Sequence, residues 1–363
     1  MSFGFFGCWN RDVCEDEVNP RDIVLNVLKQ NISELDIDRV IVAGDNIYQF
    51  ETEEGKMYRK HTIRSGFKKV NELGIPVDMI LGNHDAEYDC ILDYEKEQVK
   101  RFPNIHLYTE NHTERFENVN IIYLDTNSVD LEVSEETTKY RELDRILDYL
   151  RTHMTSDVVN VVVGHQPIFS HKGKKPNSFK NYEYFIEKIT QHTKENSIKW
   201  VYMCADSHHY QINKITYRDT SFIQIIVGTG GASLDKFKNM EDFFSKDYEE
   251  NGIQLKFLGR LESYGFSVFR VSHTGKITIT FYPVSKKGCG GCITFEIYNG
   301  KTVEYVEYKV CENLKKCDIP TEKEDVKKHC EVVRTFKEKN PLPDPEEDFM
   351  KDDKYCIKYK GKK

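Results

Sequence analysis

Nowhere in the 363 residues do about 18 uncharged apolar residues run together, so no segment reads as a membrane-crossing helix. The opening Met1-Ser2-Phe3-Gly4-Phe5-Phe6-Gly7 lacks both the basic start and the apolar stretch of a secretory leader. No long low-complexity tract argues for disorder, and no internal repeat is visible. A basic net charge is missing too. The net charge is −8, and because residues 286–363 hold 18 Lys+Arg against 16 Asp+Glu, residues 1–285 carry −10. An acidic main body argues against a non-specific nucleic-acid partner, since phosphate backbones are held by clustered cations. A local basic pocket for one phosphate stays open.

What is present suits a large folded body. Hydrophobic residues make up 39% of the chain and aromatics 12%, enough for a sizeable core. The length implies one large domain plus an appendage. Ten cysteines in a chain without a leader read first as reduced thiols or metal ligands, and with them an intracellular location is expected.

Continuous apolar runs at Val40–Ala43, Met79–Leu81, Ile121–Leu124, Val158–Val163 and Val201–Cys204 suit strands buried on both faces. Helical spacing is read over Met57–Leu73, over Tyr140–Leu150, and after Asn19-Pro20, an N-cap followed by a proline at the first helical position. That alternation implies α/β units with helices covering a sheet. From Phe222 the pattern turns β-rich, with strands expected at Phe222–Val227, Gly265–Val271 and Lys276–Pro283. Cys292–Tyr298 and Lys301–Val310 flank Asn299-Gly300, a strong hairpin signal. A polar tail follows Cys311.

The chemistry gathers where the buried runs end. Gly44-Asp45-Asn46-Ile47-Tyr48, Gly82-Asn83-His84-Asp85, Gly164-His165-Gln166-Pro167 and Ala205-Asp206-Ser207-His208-His209 each follow an apolar strand. Ligand sites in α/β sheets lie at carboxyl ends of strands, where loops converge on a rigid support. Singly, each group has an ordinary explanation as a turn, a cap or a structural histidine. Jointly, Asp, Asn, His and His after successive strands point to one site.

In that order these motifs resemble the purple acid phosphatase branch of the calcineurin-like metallophosphoesterases, over roughly residues 3–285. Leu124-Asp125-Thr126, Gly228-Thr229-Gly230-Gly231 and Tyr264-Gly265-Phe266 add to the likeness. The resemblance implies an α/β fold: a four-layer α/β/β/α sandwich of two mixed sheets. It leaves residues 286–363 as a C-terminal extension with a β-hairpin and polar tail. It implies two transition-metal ions (Zn, Fe or Mn) with Asp45 bridging, Tyr48 and His208 on the first metal, and Asn83 and His165 on the second. His84 would bind phosphate and serve the leaving group, with Asp85 beside it. The implied partner is a phosphorylated substrate, a small molecule or a phosphoprotein.

Two ligand positions depart from the family pattern. Its first Gly-Asp turn reads Gly7-Cys8-Trp9-Asn10 here, and Asp206 stands where its Gly-His-x-His motif has the first histidine. Both replacements can bind metal, and a thiolate favours softer ions such as zinc. Asp206 is shorter than a histidine and would reach less far. Successive side chains of an extended segment point opposite ways, so His209 does not simply replace a neighbour. His209 and His171 are substrate-contact candidates. Cys14, Cys90 and Cys204 read as packing residues, and Cys289, Cys292, Cys311, Cys317, His329 and Cys330 match no zinc spacing closely. The reading is a two-metal phosphoric-ester hydrolase. Its alternatives are a scaffold that lost catalysis with those two ligands and kept a binding or structural role, and a one-metal structural site. A protein partner could bind through the extension.

Overall fold

A computed structural model describes residues 1–11, 19–48, 50–52, 55–57, 60–87, 89–127, 140–172, 175–235, 248–285, 288–289, 291–298, 301–310 and 357–358. Two large mixed sheets dominate. The first runs, in spatial order, Lys301–Val310, Gly291–Tyr298, Ile277–Ser285, Gly265–Val271, Ser2–Phe6, Arg39–Ala43, Val77–Ile80 and Ile105–Tyr108. The second runs Tyr248–Glu250, Ile253–Leu261, Tyr210–Tyr217, Thr220–Val227, Lys199–Cys204, Val159–Val163, Val119–Tyr123 and His112–Arg115. Ser2–Phe6, Arg39–Ala43, Val77–Ile80 and Ile105–Tyr108 pair in parallel, as do Val119–Tyr123, Val159–Val163, Lys199–Cys204 and Thr220–Val227. Each sheet therefore has a parallel centre whose carboxyl ends can meet at one edge of the sandwich.

Side-chain alternation explains the layering. Val161, Val163, Val201 and Met203 join Phe3, Phe5, Val40 and Val42 in the core that both sheets share, while Val162, Tyr202 and Cys204 belong to a separate cluster. That second cluster takes Leu143, Ile146, Leu147 and Leu150 from the helix Arg141–His153, and Phe185, Ile186 and Ile189 from Tyr182–Glu195. Helices Pro20–Asn31 and Lys60–Asn71 pack their apolar faces against the first sheet's side of the core. Asn19 caps the former as expected, its side chain accepting from the Arg21 N–H at 3.0 Å. The expected four-layer α/β/β/α sandwich is the fold observed.

Some local expectations change. The helix expected from Met57 starts at Lys60, because Gly55–Met57 is a short strand paired with Phe50–Thr52 and with Ile357–Lys358. Cys90, read as a packing residue, is disulfide-bonded, which corrects the reading of the cysteines as reduced thiols or metal ligands; Cys8 and Cys204 are buried and in no disulfide. The hairpin strands Gly291–Tyr298 and Lys301–Val310 form as read, and the former pairs with Ile277–Ser285, so the hairpin extends the first sheet. Cys14 and the polar tail apart from Ile357–Lys358, with Cys311, Cys317, His329 and Cys330, lie outside the described residues.

Candidate metal centre

Five strand ends build the site. Ser2–Phe6 leads to Cys8, Arg39–Ala43 to Asp45, Val77–Ile80 to Asn83, Val159–Val163 to His165, and Lys199–Cys204 to Asp206 and His208. Cys8 (φ 52°), Asp45 (φ 55°) and Asp206 (φ 55°) all hold the left-handed backbone that non-glycine residues rarely adopt. Such conformations cost about 1–3 kcal/mol each and persist where surrounding structure enforces them. The enforcement is visible: the Cys8 N–H donates to the Gly44 carbonyl at 3.1 Å, and the Ala232 N–H to the Cys8 carbonyl at 2.8 Å. Glycine is required beside Asp45, since Gly44 has φ 80° and a Cβ there would sit 2.5 Å from the Gly82 nitrogen.

Asp45 is the centre of the arrangement. Its Oδ2 accepts from the Tyr48 hydroxyl at 2.7 Å, and that hydroxyl lies 3.2 Å from His208 Nε2. Its Oδ1 lies 3.2 Å from His165 Nε2, which also stands 3.1 Å from Asn83 Oδ1 and 3.7 Å from Asp206 Oδ1. Ligand atoms of Cys8, Asp45 and His208 all fall within 4.8 Å of one another. The sequence-derived candidates Cys8, Asp45, Tyr48, Asn83, His165, Asp206 and His208 are thus brought together.

Both histidines are oriented for a metal. His165 Nδ1 meets the Ala43 carbonyl at 2.6 Å and His208 Nδ1 the Ser233 carbonyl at 2.7 Å. A carbonyl only accepts, so each Nδ1 carries its proton and each Nε2 faces the cluster, the outer support typical of metal-bound histidines. Electrostatics agree. Burial alone would raise the Asp45 carboxyl, but His165 against it holds it well below the usual carboxylate range. Burial would lower His165, yet Asp45 outweighs it, with Asp206 adding, and the ring is pushed up to about 10. A proton on His165 answers the same negative potential that a cation would, and a metal would displace it. The donor set of thiol, carboxylates, amide oxygen and imidazoles fits transition-metal ions.

The remaining candidates separate. His84 is half-buried, its ring 4.7 Å from the Tyr48 ring and its N–H 3.3 Å from Asp45 Oδ1. Asp85 turns inward instead of lying beside it. Fully buried, it accepts from the Asn46 N–H (2.8 Å), the Ile47 N–H (3.2 Å) and the Gly82 N–H (2.6 Å), bracing the Asp45 loop to the Asn83 loop. Burial, with Glu95 nearby, pushes its carboxyl well above the usual range. His209 is buried and its Nε2 meets Gln211 Oε1 at 2.9 Å, the position of a structural side chain. His171 lies on the strand Phe169–Lys172, but its side chain is outside the described residues.

Sequence reasoning missed several supports. Asp235 accepts the His208 N–H at 2.7 Å and returns its own N–H to the His208 carbonyl at 2.9 Å. Trp9 Nε1 donates to Asn46 Oδ1 at 3.1 Å, and Asn10 Nδ2 to the Asn46 carbonyl at 2.8 Å, fixing the turn after Cys8 to the turn after Asp45. Thr126 Oγ1 accepts the His165 N–H at 3.1 Å. Trp9, Asn10, Asn46 and Thr126 lay in segments whose pattern pointed to the site, but Asp235 did not.

Comparisons with known proteins bear on the family. Among solved structures, GAP50, described as the anchor in the inner membrane complex of Plasmodium, is 15% identical with a TM-score of 0.48, covering 91% of this chain and 93% of that one. A dimetal phosphatase from Danio rerio is 9% identical with a TM-score of 0.47, covering 81% and 98%. Likenesses at this level carry no argument about activity. A search of curated proteins finds no match. The calcineurin-like phosphoesterase family model matches residues 1–210, more than half of the chain, and the chain belongs to that family.

Proposed function

We propose that the chain is a metal-dependent hydrolase of phosphoric monoesters, in which the residues gathered around Asp45 would hold two cations. The observation that carries this reading is the convergence on Asp45 of Cys8, Tyr48 and His208 on one side and Asn83, His165 and Asp206 on the other. Bound there, the cations would supply Lewis-acid polarisation of the phosphoryl group and an acidified water as nucleophile.

The chain's own residues do the rest. Asp45, buried and held ionised, joins the two halves of the site. Asn83 is exposed and His84 half-exposed, so both can meet a substrate from solvent. His84 would bind a phosphoryl oxygen and pass a proton to the leaving oxygen. Asp85 acts indirectly, holding the Asp45 and Asn83 loops in register through its three main-chain bonds. The motif order favours the purple acid phosphatase branch, but Cys8 beside Tyr48 favours zinc over ferric iron and a colourless protein.

The substrate would be a phosphorylated small molecule or a phosphoprotein, and a protein partner would bind through the C-terminal extension, residues 286–363. No helix among the described residues is long and apolar enough to cross a membrane. The Cys90 disulfide removes the premise of an intracellular location and favours an oxidising compartment. A second reading, a scaffold retained for binding, is favoured by the departures at Cys8 and Asp206. Hydrolysis of an aryl phosphate by metal-reloaded protein decides between them. The enzyme reading expects turnover that falls at least tenfold in Cys8→Ala and in Asp206→Ala. An inactive wild type revived by Cys8→Asp with Asp206→His would establish the scaffold.

A further inference from the structure

The two departures from the family pattern stand on opposite sides of Asp45. Cys8 belongs to the side with His208: its sulfur, an Asp45 oxygen and a His208 nitrogen lie within 4.8 Å of one another, and Tyr48 bridges Asp45 Oδ2 to His208 Nε2. Asp206 belongs to the other side. There Asn83 Oδ1 (3.1 Å), Asp45 Oδ1 (3.2 Å) and Asp206 Oδ1 (3.7 Å) surround His165 Nε2. One side has therefore gained a thiol, and the other has become three oxygens around one imidazole nitrogen.

We infer that these two changes sort metals in opposite directions, so that the Cys8 side takes a thiophilic ion such as zinc and the Asp206 side a hard ion such as manganese. The inference rests on the two-cation reading above. Its physical basis is donor softness: thiolate selects zinc and other soft ions, whereas carboxylate and carbonyl oxygen suit manganese and magnesium. Either change alone would shift one site. Together they make the sites unlike, and the left-handed backbone at Cys8 and at Asp206 fixes each donor to its own side. Zinc outcompetes manganese at most nitrogen and oxygen sites, so the sorting shows when zinc is limiting.

Cobalt spectroscopy and elemental analysis test this without reference to turnover. One equivalent of Co²⁺ added to metal-free protein should give a thiolate-to-cobalt charge-transfer band that saturates at one ion per chain. The band should be lost in Cys8→Ser and erased by one equivalent of Zn²⁺. Protein given one equivalent of Zn²⁺ and excess Mn²⁺, then freed of unbound metal, should hold one of each. Asp206→His and Asp206→Asn, the latter keeping the side-chain shape, should each weaken Mn²⁺ retention beside one equivalent of Zn²⁺ at least tenfold. Circular dichroism and unfolding curves matching wild type confirm that the variants fold. Two bound metals with no thiolate band, or a composition unchanged in both Cys8→Ser and Asp206→His, would overturn the sorting alone. Failure to bind any metal would overturn the two-cation reading with it.

Discussion

Removing the Asp85 carboxyl should cost stability and the metal centre together. Asp85 is fully buried and is the acceptor for three main-chain N–H groups, those of Asn46, Ile47 and Gly82. In Asp85→Ala these donors lose their partner in a dry interior, at about 1–3 kcal/mol each. The gross cost is then about 3–9 kcal/mol. Part is returned, because a desolvated carboxyl beside Glu95 is removed at the same time. A net loss of about 3–4 kcal/mol is expected, a large share of a typical stability of about 5–15 kcal/mol. Asp85→Asn keeps one acceptor oxygen and should lose about half as much. Urea unfolding of the metal-free proteins measures this without the contribution of bound metal. If Asp85→Ala unfolds within about 0.5 kcal/mol of wild type, Asp85 is not the brace between the two loops.

Three further outcomes are expected. Burial pushes the Glu95 carboxyl up to about 8 from an ordinary 4.5, so its protonated form is the one the fold favours. That stabilisation is complete below pH 4.5 and lost as pH rises through about 8; Glu95→Gln should abolish the loss and unfold later than wild type by a few kcal/mol, roughly, at pH 8 but not at pH 4. Asp235→Ala releases the loop that orients His208 and should weaken metal binding by about 10–100-fold, read by competition with a chromophoric chelator, with little change in unfolding of the metal-free protein. Buried Asp78 accepts from Arg39 at 2.6 and 2.8 Å and from Tyr123 at 2.7 Å, so Asp78→Ala should cost about 3–5 kcal/mol in urea unfolding.

The parallel centres of both sheets were legible because strands buried on both faces are apolar at nearly every position: Val159–Val163 has one polar residue, Asn160, and Arg39–Ala43 only Arg39 at its start. Their carboxyl ends carried the site in plain order, since a ligand must follow its strand directly. A strand with two alternate polar residues on a buried face was not read. Tyr210–Tyr217 buries Gln211 and Asn213 fully, and no periodicity separates such residues from a loop. The strand Ser2–Phe6 was passed over because Ser2 and Gly4 interrupt its phenylalanines, and only its pairing with Gly265–Val271 and Arg39–Ala43 makes it a strand. Asp85 shows a different limit. Its place beside His84 in the sequence suggested shared chemistry, but one helical residue later the side chain points inward and serves the backbone. Asp235 carried no signal at all, because its role comes from a long-range bond across 27 residues to His208.

The central claim is that Asp45 joins two halves of a metal centre, and metal content per chain tests it most directly. Protein purified without chelators, or reloaded and freed of excess ion, should carry close to two transition-metal ions per chain by elemental analysis. Asp45→Ala should retain less than one while its circular dichroism stays that of the wild type. Wild-type protein with no metal above background after reloading, or Asp45→Ala with unchanged metal content, would contradict the account.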